Sequence, residues 1–116
     1  MFEPPPLAGI KVVEIGVAMA GPFCSMTLAD YGADVVKIER IGEGDESRNW
    51  SPFFAGGVSH YFAAANRNKR SLAVDMKDPQ GVEVVRRLAG AADVLIDNFR
   101  PGALSGVNEV VRFSSK

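Results

Sequence analysis

Short apolar runs alternate along the chain with longer segments in which apolar residues recur every three or four positions. The runs are rich in valine, isoleucine and leucine, and they lie at 10–15, 35–38, 71–74 and 93–97. A run that is apolar at almost every position is typical of a parallel strand that is buried on both faces. The sequence therefore predicts four strands, and Lys11 and Glu14 are the polar residues within the first of them.

The segment after the first strand has the pattern of a helix. Pro22 is well placed near its start, and Gly32 can end it in a left-handed conformation. A stripe formed by Cys24, Leu28 and Tyr31 is predicted to face inward. Cys24 is accordingly interpreted as a small core residue.

A second long helix is predicted after the third strand, because Asp78 and Pro79 form a helix-start pair. Its apolar residues share one face, at Val82, Val85, Leu88, Ala89 and Ala92. A short helix at 59–65 is predicted with Ser59 as its N-cap. This order of strands and helices predicts an α/β fold with a Rossmann-like, mostly parallel sheet.

Composition narrows the classes of function. The 116 residues carry 13 basic and 14 acidic side chains, so a formal net charge of −1 provides no global field to attract nucleic acid or an anionic membrane. The single cysteine excludes an intramolecular disulfide framework and suits a reducing compartment. The N-terminus lacks the features of a signal peptide, and no apolar run approaches the roughly 20 residues that cross a bilayer. We therefore expect a soluble, cytoplasmic protein.

The loop after the first strand contains Gly16 and Gly21, which raises the question of a dinucleotide site. Glu39 ends the second strand, where such a site has a ribose-binding acid. The two glycines are separated by four residues, however, which is not the G-x-G-x-x-G spacing, and no P-loop sequence follows. A tight strand-to-helix turn is the favoured interpretation, and NAD or FAD binding is the alternative.

Three basic residues follow the predicted second, third and fourth strands. They are Arg40, Lys77 and Arg100. Because the carboxyl ends of parallel strands lie along one rim of the sheet, these cations could together bind phosphate groups. The alternative is a solvated surface in which the charges simply cover the sheet edge.

Candidate nucleophiles and acid–base residues are few. His60, the only histidine, could act as a general acid or base, but its aromatic neighbours in sequence favour a packed side chain. Asp45 and Asp75 could act as bases, although loop-capping and strand-end roles are simpler assignments. No cysteine and histidine spacing matches a metal motif, so no metal site is predicted.

A series of short motifs runs through most of the chain. They are Leu-Ala-Gly-Ile-Lys-Val-Val-Glu at 7–14, Ala-Gly-Pro-Phe-Cys at 20–24, Leu-Ala-Asp-Tyr-Gly-Ala-Asp-Val-Val-Lys-Ile-Glu-Arg at 28–40, Gly-Asp-Glu-Ser-Arg at 44–48, Asn-Arg-Asn-Lys-Arg-Ser-Leu at 66–72, Asp-Met-Lys at 75–77 and Asp-Asn-Phe-Arg-Pro-Gly at 97–102. In order and spacing they resemble the N-terminal part of the class III CoA-transferase family, which also includes the α-methylacyl-CoA racemases.

The resemblance implies a Rossmann-like large domain, a small second domain and a homodimer of two interlocked chains. It also implies that a CoA thioester, the substrate rather than a resident cofactor, lies along the rim described above and reacts with a small carboxylic acid. The implied CoA-binding residues are Met19, Ala20, Arg40, Val74, Asp75, Met76, Lys77, Asn98, Phe99 and Arg100. Arg40 is expected to bind the nucleotide portion of CoA.

The resemblance favours CoA transfer over racemisation, because the segment at 41–57, with Asp45, Arg48 and Trp50, is long as in the transferases. In those enzymes a catalytic aspartate forms acyl anhydrides and a CoA thioester in turn. That aspartate belongs to a later part of the family sequence, and no position of this chain matches it.

Domain organisation is predicted as a proline-rich lead-in at 1–6, the family segment at 7–104 and a divergent tail at 105–116. Gly106 stands where family members have a basic residue that helps to bind CoA. We therefore expect the truncated N-terminal, CoA-binding part of a two-domain enzyme, inactive by itself. A racemase-like fragment and a non-catalytic CoA-binding remnant are the alternatives.

Overall fold

The computed structural model describes residues 3–100, and the elements within them follow the predicted order. The strands are β1 (Lys11–Glu14), β2 (Asp34–Glu39), β3 (Lys69–Ala73) and β4 (Val94–Ile96). The helices are α1 (Ala20–Asp30), α2 (His60–Ala65) and α3 (Pro79–Ala91), with a 3-10 turn at Glu46–Asn49. The predicted tail at 105–116 lies outside the described residues.

The strands of the described part of the chain are parallel and pair in the order β3-β2-β1-β4. A helix lies in each connection between successive strands, because parallel neighbours need a crossover that returns the chain to the same end of the sheet. The predicted α/β fold with a parallel sheet is confirmed. β3 begins two residues earlier than predicted, at Lys69, which is the register partner of Val35 in β2.

One face of the sheet is covered by α3 and is apolar. Val13, Ile15 and Ile38 pack there against Val85 and Ala89 of the helix. The apolar stripe predicted for α3 is confirmed, because all its members lie in or against this cluster: Val82, Val85, Leu88, Ala89 and Ala92.

The opposite face, under α1, is apolar only where the strands begin. Val12 and Val35 pack there against Ala29 of α1. Glu14 and Lys37 lie two residues further along the same strands, so they point to the same face, and both are buried. Buried charges are tolerated only when they are paired, so this half of the face must be held by ionic contacts.

The predicted caps are confirmed. Asp78 accepts a hydrogen bond from the backbone N–H of Gln80 at 2.9 Å, and Ser59 accepts one from Phe62 at 3.4 Å. Gly32, just after α1, has a φ of +104°, a left-handed conformation that favours glycine. These contacts satisfy backbone groups that helix ends leave without partners.

The predicted inward stripe of α1 is wrong. Cys24 and Tyr31 are exposed and Leu28 is half-buried, whereas the buried positions are Gly21, Pro22, Ser25, Met26 and Ala29. The reason lies beneath the helix, where Ser25 donates a hydrogen bond of 2.9 Å to the buried Glu14 carboxylate. The helix therefore presents a polar residue to the sheet, and Cys24 is not a core residue.

Candidate ligand site at the carboxyl edge of the sheet

A cavity of about 400 Å³ opens beyond the carboxyl ends of β1 and β2. Ligands of open parallel sheets bind at this edge, where loops leave the strands. The cavity is lined by Ile15, Gly16, Val17, Ile38, Glu39, Arg40, Gly44, Asp45, Glu46, Met76 and Phe99. Apolar and charged side chains are both present, so the cavity suits a ligand that combines an apolar part with an ionic part.

Lys37 is the centre of an ionic cluster beneath this cavity. Its ammonium lies 2.9 Å from Glu14 Oε1, 2.9 Å from Asp45 Oδ2 and 3.1 Å from the carbonyl oxygen of Gly16. Lys37 and Asp45 are each 1% exposed and Glu14 is fully buried. The ammonium donates hydrogen bonds to Glu14 and Gly16, whereas its contact with Asp45 Oδ2 is an ion pair without hydrogen-bond geometry. Lys37 thus connects the loop after β1 to the loop after β2.

Lys69 extends the cluster from β3. It donates to Glu14 Oε2 at 2.9 Å, to the carbonyl oxygen of Pro22 at 2.9 Å and to Asn66 at 2.8 Å. Burial lowers the pKa of Lys69, while Glu14 opposes that effect. The paired members are two cations and two carboxylates, Lys37, Lys69, Glu14 and Asp45, so the buried charges cancel.

This cluster was not predicted, although the sequence contains a signal for it. Glu14 and Lys37 are charged residues close to the carboxyl ends of two largely apolar strands. In the sheet they are register partners, directly beside one another on β1 and β2. Opposite charges at matching positions of two predicted neighbours therefore indicate a buried ion pair.

Glu39 belongs to a second cluster at the end of β2. Arg48 donates to both of its carboxylate oxygens, at 2.7 and 2.8 Å, and Ser71 Oγ and the backbone N–H of Asp45 donate as well. Burial opposes ionisation, but these hydrogen bonds outweigh it and lower the pKa of Glu39 to about 2. A carboxylate engaged in this way is not available to a ribose, which weighs against the dinucleotide alternative.

The glycines of the first loop also have a structural explanation. Asn98, two residues after β4, packs against both of them. A Cβ atom on Gly16 would lie 3.0 Å from Asn98 Oδ1, and one on Gly21 would lie 3.3 Å from the same atom. The space that these glycines provide is thus filled by a protein side chain rather than by a pyrophosphate.

The three rim cations are exposed. Arg40 lies 3.4 Å from Glu43, in a pair whose side chains are 64% and 75% exposed. Among the ion pairs of residues 3–100, none involves Lys77 or Arg100. Exposed cations of this kind can bind a ligand phosphate with little loss of existing contacts.

The other predicted CoA-binding residues differ in whether they line the cavity, lie in the core or are exposed. Met76 and Phe99 line the cavity, whereas the side chain of Val74 is buried in the core on the α3 face. Asp75 accepts a hydrogen bond from the backbone N–H of Lys77 at 2.9 Å and so shapes the turn after β3. Met19 and Ala20, at the start of α1, are exposed.

The candidate acid–base residues are not assembled into a catalytic group. His60 is exposed on α2, with its ring 3.9 Å from that of Phe54 between centroids. Asp45 is committed to Lys37 and to the 3-10 turn, where it accepts from Ser47. Residues 3–100 contain no group of three or more metal-ligating side chains, nor a helix with the length and apolar character needed to cross a bilayer.

The fold and this edge define an α/β protein with a cavity beyond the carboxyl ends of its parallel strands. The sequence profile of CoA-transferase family III matches residues 7–108, and the chain belongs to that family. Its human relative, succinyl-CoA:glutarate CoA-transferase, is 47% identical over 102 residues, which are 88% of this chain and 23% of the relative. The formyl-CoA:oxalate CoA-transferase of Escherichia coli is 43% identical over 99 residues, 85% of this chain and 24% of that enzyme.

Solved structures agree with this assignment. A CaiB/BaiF family protein from Brucella suis is 41% identical, with a TM-score of 0.83 over 93% of this chain and 31% of its own. A protein from Mycobacterium tuberculosis is 33% identical, with a TM-score of 0.85 over 95% of this chain and 32% of its own. The chain therefore spans about a quarter of the length of these curated relatives and about a third of these solved chains.

Proposed function

We propose that this chain forms the CoA-binding part of a CoA-transferase that moves CoA between an acyl-CoA and a carboxylic acid. The observation that carries the proposal is the cavity at the carboxyl edge of the sheet, with Arg40 at its mouth and apolar side chains beside it. CoA has the matching chemistry, since its phosphates are anionic and its pantetheine arm is largely apolar. Membership of the family supports the same ligand.

Individual residues can be assigned proposed roles. Arg40, Lys77 and Arg100 supply positive charge for the phosphates, and Arg40 binds the nucleotide portion. Met76 and Phe99 provide apolar contacts within the cavity. The remaining proposed contacts come from the loop before α1 and from the turn after β3, at Met19, Ala20, Val74 and Asp75.

Transfer is favoured over racemisation by the relatives. Curated proteins that match the chain are CoA-transferases, and their names pair a CoA thioester with glutarate or oxalate. We infer that the acceptor is a small carboxylic acid of the same class. The interlocked homodimer implied by the resemblance is part of this proposal.

Titration calorimetry of CoA into the purified 116-residue chain tests the binding site. We expect micromolar affinity, and we expect Arg40→Ala to weaken it about tenfold by removing one charge-assisted phosphate contact. If Arg40 contacts the 3′-phosphate, the difference in affinity between Arg40→Ala and the wild type should be smaller for dephospho-CoA, which lacks that phosphate, than for CoA.

Arg70→Ala is the matched control. Arg70 is also an exposed arginine, but it pairs with Asp34 near the amino end of the sheet, at 2.7 Å and 71% exposure. Its substitution should leave CoA affinity unchanged. Absence of binding by the folded wild type would contradict the proposed function, and equal affinities for the two variants would remove Arg40 from the site.

We also expect the 116 residues alone to bind CoA without transferring it. The family reaction passes through an aspartate that matches no position of this chain, and a carboxylate nucleophile is required to carry the acyl group between substrates. The measurement is exchange of labelled glutarate into succinyl-CoA. Label transfer above the protein-free rate would show that the chain contains its own nucleophile.

A further inference from the structure

We propose that Asn98 is a positioning residue, which holds the backbone N–H and C=O of Val17 and thereby sets the path of the first loop of the CoA site. The proposal rests on the proposed function, because the loop matters for binding only if CoA lies against it. It differs from the role implied by the resemblance, in which Asn98 itself lines the CoA groove.

Two hydrogen bonds carry the proposal. Asn98 Oδ1 accepts from the backbone N–H of Val17 at 2.9 Å, and Asn98 Nδ2 donates to the carbonyl oxygen of Val17 at 2.8 Å. The two residues are 81 positions apart in sequence. A side-chain amide that pairs with both polar groups of one residue fixes that residue in position and orientation, because a reversed amide would place like groups together.

Close packing supports the same role. The carboxamide of Asn98 lies over Gly16 and Gly21, where a Cβ on the first would approach Oδ1 to 3.0 Å. The same Cβ would lie 3.1 Å from the Cα of Gly21. The loop therefore approaches Asn98 closely on one side, and glycine is needed there for that reason.

The loop is also held from its other side. Lys37 donates to the carbonyl oxygen of Gly16 at 3.1 Å, and Asp45 accepts from the backbone N–H of Ala18 at 3.2 Å. Ala18 has a φ of +64°, a left-handed conformation that is strained for alanine and persists only where the surroundings hold it. Asn98 supplies the contact from the segment after β4, so the loop is fixed between two independent supports.

The consequence for binding is preorganisation. Val17 lines the cavity, and Met19 and Ala20 follow it directly. A loop that is already in its bound conformation does not have to be ordered by the ligand, which improves affinity without a direct contact. Asn98 thus acts on CoA through the loop.

The test compares Asn98→Ala and Asn98→Asp with the wild-type chain. Alanine removes both hydrogen bonds, and aspartate places a carboxylate oxygen against the carbonyl oxygen of Val17. We expect each variant to bind CoA about tenfold more weakly, as the loss of two neutral hydrogen bonds implies. Hydrogen exchange followed by NMR should show faster exchange of the Val17 amide in Asn98→Ala, with the Val13 amide of β1 unchanged.

Asn49→Ala is the matched control, because Asn49 is an exposed asparagine on the 3-10 turn. It should change neither affinity nor exchange at Val17. Unchanged CoA affinity in both Asn98 variants would overturn the proposal, even if the Val17 amide is released. The proposal would also be overturned if the Val17 amide exchanged as fast in the wild type as in Asn98→Ala.

Failure of the proposed function is distinguishable from failure of this inference. If the wild-type chain bound no CoA, the proposed function would fall, and the exchange data would decide the role of Asn98 alone. Protection of Val17 that is lost in Asn98→Ala would then support a loop-positioning residue, and identical exchange would refute it.

Discussion

Glu39 shows how a single carboxylate beside the cavity is kept ionised and fixed. It is 7% exposed, and burial alone would raise its pKa. Hydrogen bonds from Arg48, Ser71 and the Asp45 backbone reverse that effect and bring the pKa down to about 2 from an ordinary 4.5. The carboxylate is therefore charged at neutral pH and oriented towards Arg48, whose guanidinium also lies 3.8 Å from the ring centroid of Phe62.

This pKa predicts how stability depends on pH. Because the folded pKa is lower than the unfolded one, Glu39 stabilises the fold at neutral pH, and its contribution is lost as pH falls from 4.5 towards about 2. A shift of this size corresponds to about 3 kcal/mol. Chemical unfolding measured from neutral pH down to pH 2 should show this loss of stability. The loss should be smaller in Arg48→Ala, because Glu39 then has a less depressed pKa.

Arg87→Ala serves as the comparison for Arg48→Ala. Arg87 forms an exposed pair with Glu83 on α3, with its side chain 79% exposed, so its removal should change the free energy of unfolding by less than about 1 kcal/mol. The assignment fails if Arg48→Ala retains the full loss of stability between pH 4.5 and 2.

At the scale of elements, the carboxyl ends of β1 and β2 are held together by ion pairs as well as by backbone hydrogen bonds. Glu14 and Lys37 are register partners, and Lys37 also contacts Asp45 in the loop beyond β2. Ser25 of α1 donates a hydrogen bond to the Glu14 carboxylate, so this helix also contacts the cluster. The loops around the cavity are therefore held by the cluster beneath them rather than by apolar packing.

Lys37→Met should be strongly destabilising. Methionine has a comparable length, but it leaves the buried Glu14 and Asp45 carboxylates short of a partner, for which a cost of about 3–5 kcal/mol is typical. Urea unfolding gives the free energy directly. Lys11→Met, on the exposed position of β1, is the control and should be nearly neutral. A loss below about 1 kcal/mol in Lys37→Met would show that Lys69 alone can balance the cluster.

At the scale of the molecule, the parallel α/β fold was predictable because local signals agree with the final structure. Short apolar runs indicated the strands, and the Asp78 cap and Gly32 indicated where α3 begins and α1 ends. Among the cavity-lining residues, Arg40 was predicted from its position after the second strand, whereas Met76 and Phe99 were predicted through a family resemblance.

The contacts that shape the site were not predictable in the same way. Asn98 and Val17 are 81 positions apart in sequence, and the periodicity of apolar residues does not predict a contact between such distant residues. The prediction of the inward face of α1 was wrong because it rested on hydrophobicity, which places Cys24 and Tyr31 inward. In the structure the helix presents Ser25 to the buried Glu14 carboxylate instead. Polar contacts between distant segments decide both features, and they depend on tertiary geometry.

Cancellation of charge in the interior has a consequence for how ionic strength acts on the protein. The buried cluster of two lysines and two carboxylates has no net charge, and its ion pairs are shielded from mobile ions by the surrounding protein. The exposed rim cations face solvent, where the Debye length at physiological salt is about 8 Å. Added salt should therefore slow the capture of an anionic ligand while leaving the melting temperature almost constant, so that recognition and folding respond to separate sets of charges.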